Sequence, residues 1–169
     1  VLDAAGNTYL VGKFAGTVDF DLGAGTYELT SSVTDARDNY AAKYDPSGAL
    51  LWAQSFGGDA NDGFDREIAV DGVGNIFIVG TFTGSAQFGS TALTSLGGFD
   101  AFLTKLDADG NFVWAKQFGG ANADYGNGVA VDNAGNVLVI ADTFGVPGGS
   151  GARDALIGKF DPNGNSLWT

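Results

Sequence analysis

Short apolar-rich runs separated by turn residues set the pattern of this chain. The clearest stretch extends from Val70 to Phe118, with apolar-rich runs at 75–82, 101–106 and 112–118 and glycine, asparagine or aspartate between them. Runs of this length bounded by turn residues are typical of β-strands. No segment keeps the helical spacing of apolar residues over about ten positions. The pattern therefore predicts an all-β chain.

Three anchors recur in a fixed order and divide the chain into three copies of one unit. Lysine precedes tryptophan by nine residues in every copy, whereas the spacing between the first anchor and the lysine varies. The variable part indicates insertions in one loop region. The anchors are an Asp-x-x-Gly-Asn segment beginning at Asp3, Asp71 and Asp132, a lysine two residues before an aspartate at Lys43, Lys105 and Lys159, and all three tryptophans, Trp52, Trp114 and Trp168.

Each complete copy is predicted to contain four strands, and the first copy lacks its first strand. The copies are assigned to residues 1–56, 57–118 and 119–169. The insertion in the first copy includes two possible short strands, and the insertion in the second copy covers 87–96. The predicted strands are 7–14, 17–20, 26–30, 39–44 and 50–56 in the first copy, 68–71, 75–82, 101–106 and 112–118 in the second, and 129–132, 137–142, 155–160 and 166–168 in the third.

A repeated four-stranded antiparallel unit is typical of β-propeller blades. One blade cannot bury both faces of its sheet, so blades must stack against one another. Closed propellers have about four to eight blades, and this chain supplies about three. We therefore expect the chain to form part of a larger or oligomeric propeller, whose partners are other blades of a longer parent chain or further copies of this one.

The segments around these anchors resemble the bacterial beta-propeller repeat family labelled SBBP. That family's pattern is matched by Ile-Ala-Val-Asp and Gly-Asn-Ile-Phe-Ile-Val within 68–79, Leu-Thr-Ser-Leu-Gly-Gly at 93–98, Asp-Ala-Phe-Leu-Thr-Lys at 100–105, and Trp to Phe-Gly-Gly at 114–120. The resemblance implies a propeller from a secreted or surface-exposed protein. It implies no shared catalytic residues. The third copy departs from the pattern because it lacks Leu-Thr-Ser and has a shorter insertion.

Charge and composition exclude several classes of ligand. The net charge is −12, with 8 Lys plus Arg against 20 Asp plus Glu. Nucleic acids and anionic membrane surfaces require clustered cations, so neither is an expected partner. The apolar runs are too short to span a bilayer, and no membrane insertion is expected. The absence of histidine and cysteine removes the commonest general base and all thiol chemistry.

The repeated aspartates have a structural and a metal-binding interpretation. The segment from Asp107 to Asn111 resembles the start of a calcium loop, but the twelfth position, where an EF-hand needs glutamate, is Phe118. Aspartate followed three residues later by glycine is typical of a type I turn. We predict that these aspartates, and those of the Gly-Asn turns, accept backbone hydrogen bonds.

The repeated cations and tryptophans are predicted to be structural. Lys43, Lys105 and Lys159 are expected to form an ion pair within each copy with the aspartate two residues later, namely Asp45, Asp107 and Asp161. The three tryptophans are expected to pack in the core or between blades. A platform for stacking sugars is the alternative role for the tryptophans.

The most acidic local cluster supplies the candidate metal site. Asp59, Asp62 and Asp65 lie close together in the sequence, and Asp124 occupies the position equivalent to Asp62 in the next copy. Carboxylate oxygens are suitable calcium ligands if they converge. These four residues are the calcium candidates, and no other cofactor is expected.

No constellation in the sequence supports a catalytic role, so we predict no catalytic residue. The first hypothesis is a non-enzymatic extracellular or cell-surface module with a structural, adhesive or protein-interaction role. A carbohydrate-binding or carbohydrate-active propeller that uses loop aspartates and aromatics is the alternative, with a glycan as its ligand. A third possibility is a self-assembling fibre or surface-layer component.

Overall fold

The computed structural model describes residues 1–33, 37–58, 67–144 and 153–169. Fifteen β-strands and no helix occur within these ranges, so the predicted all-β class is confirmed. Nothing in the described part of the chain is a helix long and apolar enough to cross a membrane.

The strands agree closely with those predicted from the sequence. Strand β12 begins four residues earlier than predicted, and the insertion of the second copy forms a hairpin of two strands. The strands are β1 Thr8–Phe14, β2 Thr17–Asp19, β3 Glu28–Thr30, β4 Asp38–Tyr44, β5 Leu50–Gly58, β6 Glu67–Val70, β7 Ile76–Phe82, β8 Ser85–Phe88, β9 Thr91–Thr94, β10 Asp100–Leu106, β11 Phe112–Phe118, β12 Tyr125–Val131, β13 Val137–Phe144, β14 Arg153–Phe160 and β15 Ser166–Trp168.

Three antiparallel sheets form the framework, and we call them blades 1, 2 and 3. Blade 1 contains β1, β4 and β5, blade 2 contains β6, β7, β10 and β11, and blade 3 contains β12 to β15, in each case with neighbouring strands in that order. Before β1, Leu2 forms an isolated bridge to Thr8. These sheets are the arrangement expected of propeller blades.

Two hairpins extend the framework. Strands β2 and β3 pair only with each other, and β8–β9 leaves blade 2 to join the sheet of blade 1. The join runs through Gly57 with Gln87 and Gly58 with Ala86. The sequence predicted this segment only as an insertion within its own copy. Its strand instead links two neighbouring blades.

A β-bulge occurs at the same place in every blade. Lysine lies opposite tryptophan across the two last strands, and the register then shifts by one residue. A bulge leaves one residue of a strand without a partner. Those residues are Leu51, Val113 and Leu167, and all three are about half exposed, at 51%, 52% and 52%.

The hydrophobic core lies between the blades. One cluster joins blades 1 and 2 around Phe56, Phe88 and Phe102, and a second joins blades 2 and 3 around Phe77 and Val139. A third cluster lies beneath the β2–β3 hairpin. Because blade 2 has a neighbour on both faces, every residue of β7 and β10 is buried. In β14 of blade 3, buried positions are few.

Candidate functional site

Six turns of one type lie in the structure, two in each blade. In each turn, the glycine N–H and the aspartate N–H donate to backbone carbonyls of the same turn. The glycines have φ between 78° and 89°, a conformation that glycine adopts without strain. The sequence suggested two separate anchors, but the geometry is the same in both. The aspartates are Asp3, Asp45, Asp71, Asp107, Asp132 and Asp161.

The aspartate side chains close these turns. In the Asp71 turn, Oδ1 accepts N–H bonds from Val73 at 3.0 Å and Asn75 at 2.9 Å, and Oδ2 accepts the Asn75 side-chain amide at 2.7 Å. The other five carboxylates accept the equivalent backbone bonds. This is the structural role predicted for these residues.

Hydrogen bonds also lower the pKa of Asp3, Asp45 and Asp132. The Asn7 side chain lowers the pKa of Asp3, and the Ser47 hydroxyl lowers the pKa of Asp45. For Asp132, bonds from Asn136 and then from Lys159 lower the pKa well below its usual range. Bonds to the charged form favour that form. The negative charge of these three carboxylates is therefore retained at neutral pH, with their oxygens directed at the backbone.

The two turns of each blade lie side by side at one end of the sheet. A Cβ placed on Gly74 would lie 3.3 Å from Ala108, and one on Gly135 would lie 3.3 Å from Pro162. Clefts of about 400 Å³ and 270 Å³ open between neighbouring blades at this end. The larger cleft includes Tyr9 and Lys43 in its lining. We call this surface the turn end.

Lysine and tryptophan of one blade bind the turn of the next blade. Trp52 Nε1 donates to the Ala108 carbonyl at 3.1 Å, and Lys43 Nζ donates to the same oxygen at 3.4 Å. In the next pair of blades, Trp114 and Lys105 donate to the Pro162 carbonyl at 3.2 Å and 3.0 Å. We call this two-donor contact the inter-blade clamp. Each acceptor directly follows the aspartate of the turn.

The lysine contacts differ from the ion pairs predicted within each copy. Lys43 and Lys105 donate to a carbonyl of the neighbouring blade. An aromatic ring lies beside each ammonium group, Tyr9 at 5.0 Å and Phe77 at 5.6 Å. Only Lys159 forms an ion pair within its blade, and its partner is Asp132 at 2.9 Å. For Lys43 and Lys105, the predicted partner was wrong because the acceptor is a main-chain oxygen on another blade.

The tryptophan ring of each clamp also covers the glycine of the turn it binds. A Cβ on Gly110 would lie 2.6 Å from the Trp52 ring, and one on Gly164 would lie 3.1 Å from the Trp114 ring. Contacts this short would displace the ring. Glycine is thus required at these two positions both for its backbone conformation and for its lack of a side chain.

The three tryptophans differ in environment although they occupy equivalent positions in the repeat. Trp52 is 9% exposed and Trp114 is partly buried against the core between blades 2 and 3. Trp168 is 48% exposed, and its indole nitrogen has no hydrogen-bond acceptor among the described residues. The tryptophans of blades 1 and 2 therefore pack between blades, and that of blade 3 presents its ring to solvent.

Three of the four calcium candidates, Asp59, Asp62 and Asp65, lie outside the described residues. Asp124 is fully buried, and its carboxylate accepts N–H bonds from Gly120 at 2.8 Å and Phe144 at 2.7 Å. Within the described ranges, no three acidic, histidine or cysteine side chains are grouped as metal ligands would be. The calcium site stays a prediction.

Besides that of Asp38, sequence reasoning missed the buried carboxylate of Asp100. Its Oδ2 accepts bonds from Leu96 N–H at 3.0 Å and Gln117 Nε2 at 2.5 Å, while its Oδ1 is buried without a partner. Gly119 lies beside both Asp100 and Asp124, and burial followed by the charge of Asp124 raises the pKa of Asp100. Aspartate recurs five residues before each repeated lysine, and that spacing was the available signal.

Comparison with known proteins agrees with this architecture. Residues 113–145, which include β12, β13 and all but the first residue of β11, match the family described as Beta-propeller repeat, SBBP. The chain is also 29% identical over 178 aligned residues to an uncharacterized WD repeat-containing protein of Acanthamoeba polyphaga mimivirus. That alignment covers 82% of this chain and 13% of the relative, so the chain spans a small part of the relative's length. The resemblance seen in the sequence is thereby confirmed over residues 113–145, which match the SBBP beta-propeller repeat.

Proposed function

We propose that this chain belongs to a non-enzymatic β-propeller that serves as a protein-interaction module, with a structural or adhesive role outside the cell or at the cell surface. The observation that carries the proposal is that the repeated polar side chains are engaged in building the blades. The turn aspartates bind their own backbone, and the clamp lysines and tryptophans bind the next blade. Side chains that are already hydrogen-bonded within the fold in this way support a scaffold role for the protein.

The charge of the chain favours a particular kind of partner. With a net charge of −12 and six turn aspartates at one end, the chain favours proteins with basic surfaces, because complementary charge steers association. The WD repeat-containing relative is consistent with an interaction module. The resemblance to the SBBP family supports a secreted or surface location, and protease shaving of intact source cells would test that location.

A glycan array combined with a panel of glycosidase substrates tests the non-enzymatic, protein-binding role. The protein should neither bind a glycan saturably nor hydrolyse a substrate, and a cooperative thermal transition should show that the sample is folded. Saturable glycan binding or turnover would refute the proposal. Binding to basic proteins should weaken as salt rises, because exposed charges are screened.

Carbohydrate binding is the second candidate, and the exposed ring of Trp168 favours it. Aromatic side chains with one apolar face in water are suited to stacking against sugars. Trp168→Ala separates the two candidates. Loss of a measured glycan signal in this variant would support carbohydrate binding at blade 3.

A further inference from the structure

One face of blade 3 is equivalent to the face of blade 2 that is buried against its neighbour. On blade 2, Val79 and Leu103 lie opposite each other and are fully buried. The equivalent cross-strand pair on blade 3, counted from the same anchors, is Ile140 and Ile157, which are 46% and 50% exposed. Trp168 lies on the same face. We call Ile140, Ile157, Lys159 and Trp168 the open face.

The opposite end of the framework carries the complementary half of a clamp. Gly48 ends the turn of Asp45 and Pro46 in blade 1 and has φ of 86°. Nothing lies within 4 Å of a Cβ placed on Gly48. At Gly110 and Gly164 in blades 2 and 3, the same space holds a tryptophan ring.

We propose that the open face of blade 3 binds the Asp45–Gly48 turn of blade 1 in a second copy of this chain. Trp168 Nε1 and Lys159 Nζ donate to the Pro46 carbonyl of the second copy, and the Trp168 ring covers Gly48. The contact continues an interface that the chain already forms twice, between blades 1 and 2 and between blades 2 and 3.

The energetic requirements of this contact are modest. Lys159 must leave Asp132, a surface ion pair of the kind that contributes little to stability. In exchange, an exposed indole and two isoleucines are removed from water. The two copies are both strongly acidic, so added salt should strengthen the association by screening their repulsion.

A second copy is favoured because one chain carries both complementary halves, the exposed Trp168 of blade 3 and the open space over Gly48 of blade 1. The contact is head-to-tail, so it closes if the rotation allows and otherwise extends into a filament. The proposal rests on the propeller assignment and is independent of which external partner or glycan the protein binds.

Sedimentation velocity over a wide range of protein concentration tests the proposal with two variants. Trp168→Ala removes the ring, and Gly48→Asn fills the space that receives it with a residue that tolerates positive φ. Each should weaken association by about tenfold or more, as is typical when a buried interface tryptophan is truncated. The wild-type chain should associate in proportion to concentration.

Matched controls separate this effect from a general loss of folding. Leu167→Ala truncates the bulge residue next to Trp168. The bulge position is about half exposed in all three blades. Gly16→Asn introduces the same side chain at a glycine with φ of 68° and open space around it, away from the clamp. Both controls should associate like the wild type, and all variants should keep the wild-type circular dichroism spectrum.

Mixing the two variants gives a decisive result. Each retains one intact half-clamp, so an equimolar mixture should associate more strongly than either variant alone. A wild-type chain that is monomeric at every concentration would overturn the proposal. So would association that Trp168→Ala abolishes and Gly48→Asn leaves intact, because that pattern indicates two open faces meeting. Glycan and basic-protein binding are separate measurements, so the external role can fail while this contact holds.

Discussion

Replacing each of the three equivalent tryptophans by alanine distinguishes the stability that the inter-blade clamp contributes from the stability that a tryptophan side chain contributes anywhere in the fold. The three residues occupy the same position of the repeat, opposite the clamp lysine. Their neighbours differ, however, because only blades 1 and 2 have a following blade in the structure. We therefore expect Trp52→Ala, Trp114→Ala and Trp168→Ala to destabilise the protein to different extents.

The structure gives the order and the approximate size of the effects. Trp52 is buried, meets the Tyr9 ring edge-on at 6.4 Å and donates to the Ala108 carbonyl. Its truncation should cost about 3–5 kcal/mol, the usual range for a buried large aromatic. Trp114 is less buried and should cost somewhat less. Trp168 is half exposed and should cost about 0.5 kcal/mol or less, like most surface substitutions.

Urea unfolding followed by far-ultraviolet circular dichroism measures these differences. The protein must be dilute, because association would stabilise the folded state by mass action. An unchanged dependence of unfolding free energy on urea would show that the same surface is exposed in each variant. Equal losses for all three tryptophans, or the largest loss at Trp168, would refute the assignment of the clamp as an inter-blade contact.

Four further outcomes are expected. Gly110→Ala should destabilise more than Gly48→Ala in urea unfolding, because both have positive φ but only Gly110 lies under a tryptophan ring; equal losses would contradict the ring contact. Burial raises the pKa of Asp100 in the folded protein. The stability that this shift contributes is complete below the ordinary aspartate pKa and is lost as pH rises through the pKa of Asp100 in the folded protein. Asp100→Asn cannot ionise and should therefore gain stability relative to the wild type as pH rises above the ordinary aspartate pKa, whereas a pH-independent difference would refute this. Hydrogen exchange should be slowest in β7 and β10, in which every residue is buried, and fastest in β15, in which every residue is exposed; uniform protection would contradict this gradient. Melting temperatures with calcium and with chelator should agree within a few degrees, and a large stabilisation by calcium would show that the acidic cluster binds it.

The strands and turns could be predicted from the sequence because their signals are local. Apolar runs bounded by glycine and aspartate determine where strands end, and aspartate three residues before glycine favours the turn whatever surrounds it. The same local pattern of apolar runs and turn residues then recurs in three copies, which strengthens the prediction. The fold class followed from that repetition.

The clamp could not be predicted because one of its partners is a main-chain oxygen. The acceptors are the carbonyls of Ala108 and Pro162, whose apolar side chains cannot accept a hydrogen bond, so the sequence carries no sign of their role. The nearest charged residue to Lys105 in the sequence was Asp107, and charge alone suggested an ion pair there. The structure shows instead that Asp107 is committed to its own turn.

The difference between repeated sequence and repeated environment explains both the successes and the failures. A local turn needs only its own five residues, so all six copies form alike. A clamp needs two blades, so it forms at two boundaries, and its residues in blade 3 take other roles: Lys159 pairs with Asp132 and Trp168 lies half exposed. In repeat proteins, stability is approximately the sum of repeat and neighbour terms. Lysine and tryptophan at the clamp position therefore report whether a blade has a following neighbour, and their state in blade 3 is the most direct experimental indicator of what covers its open face.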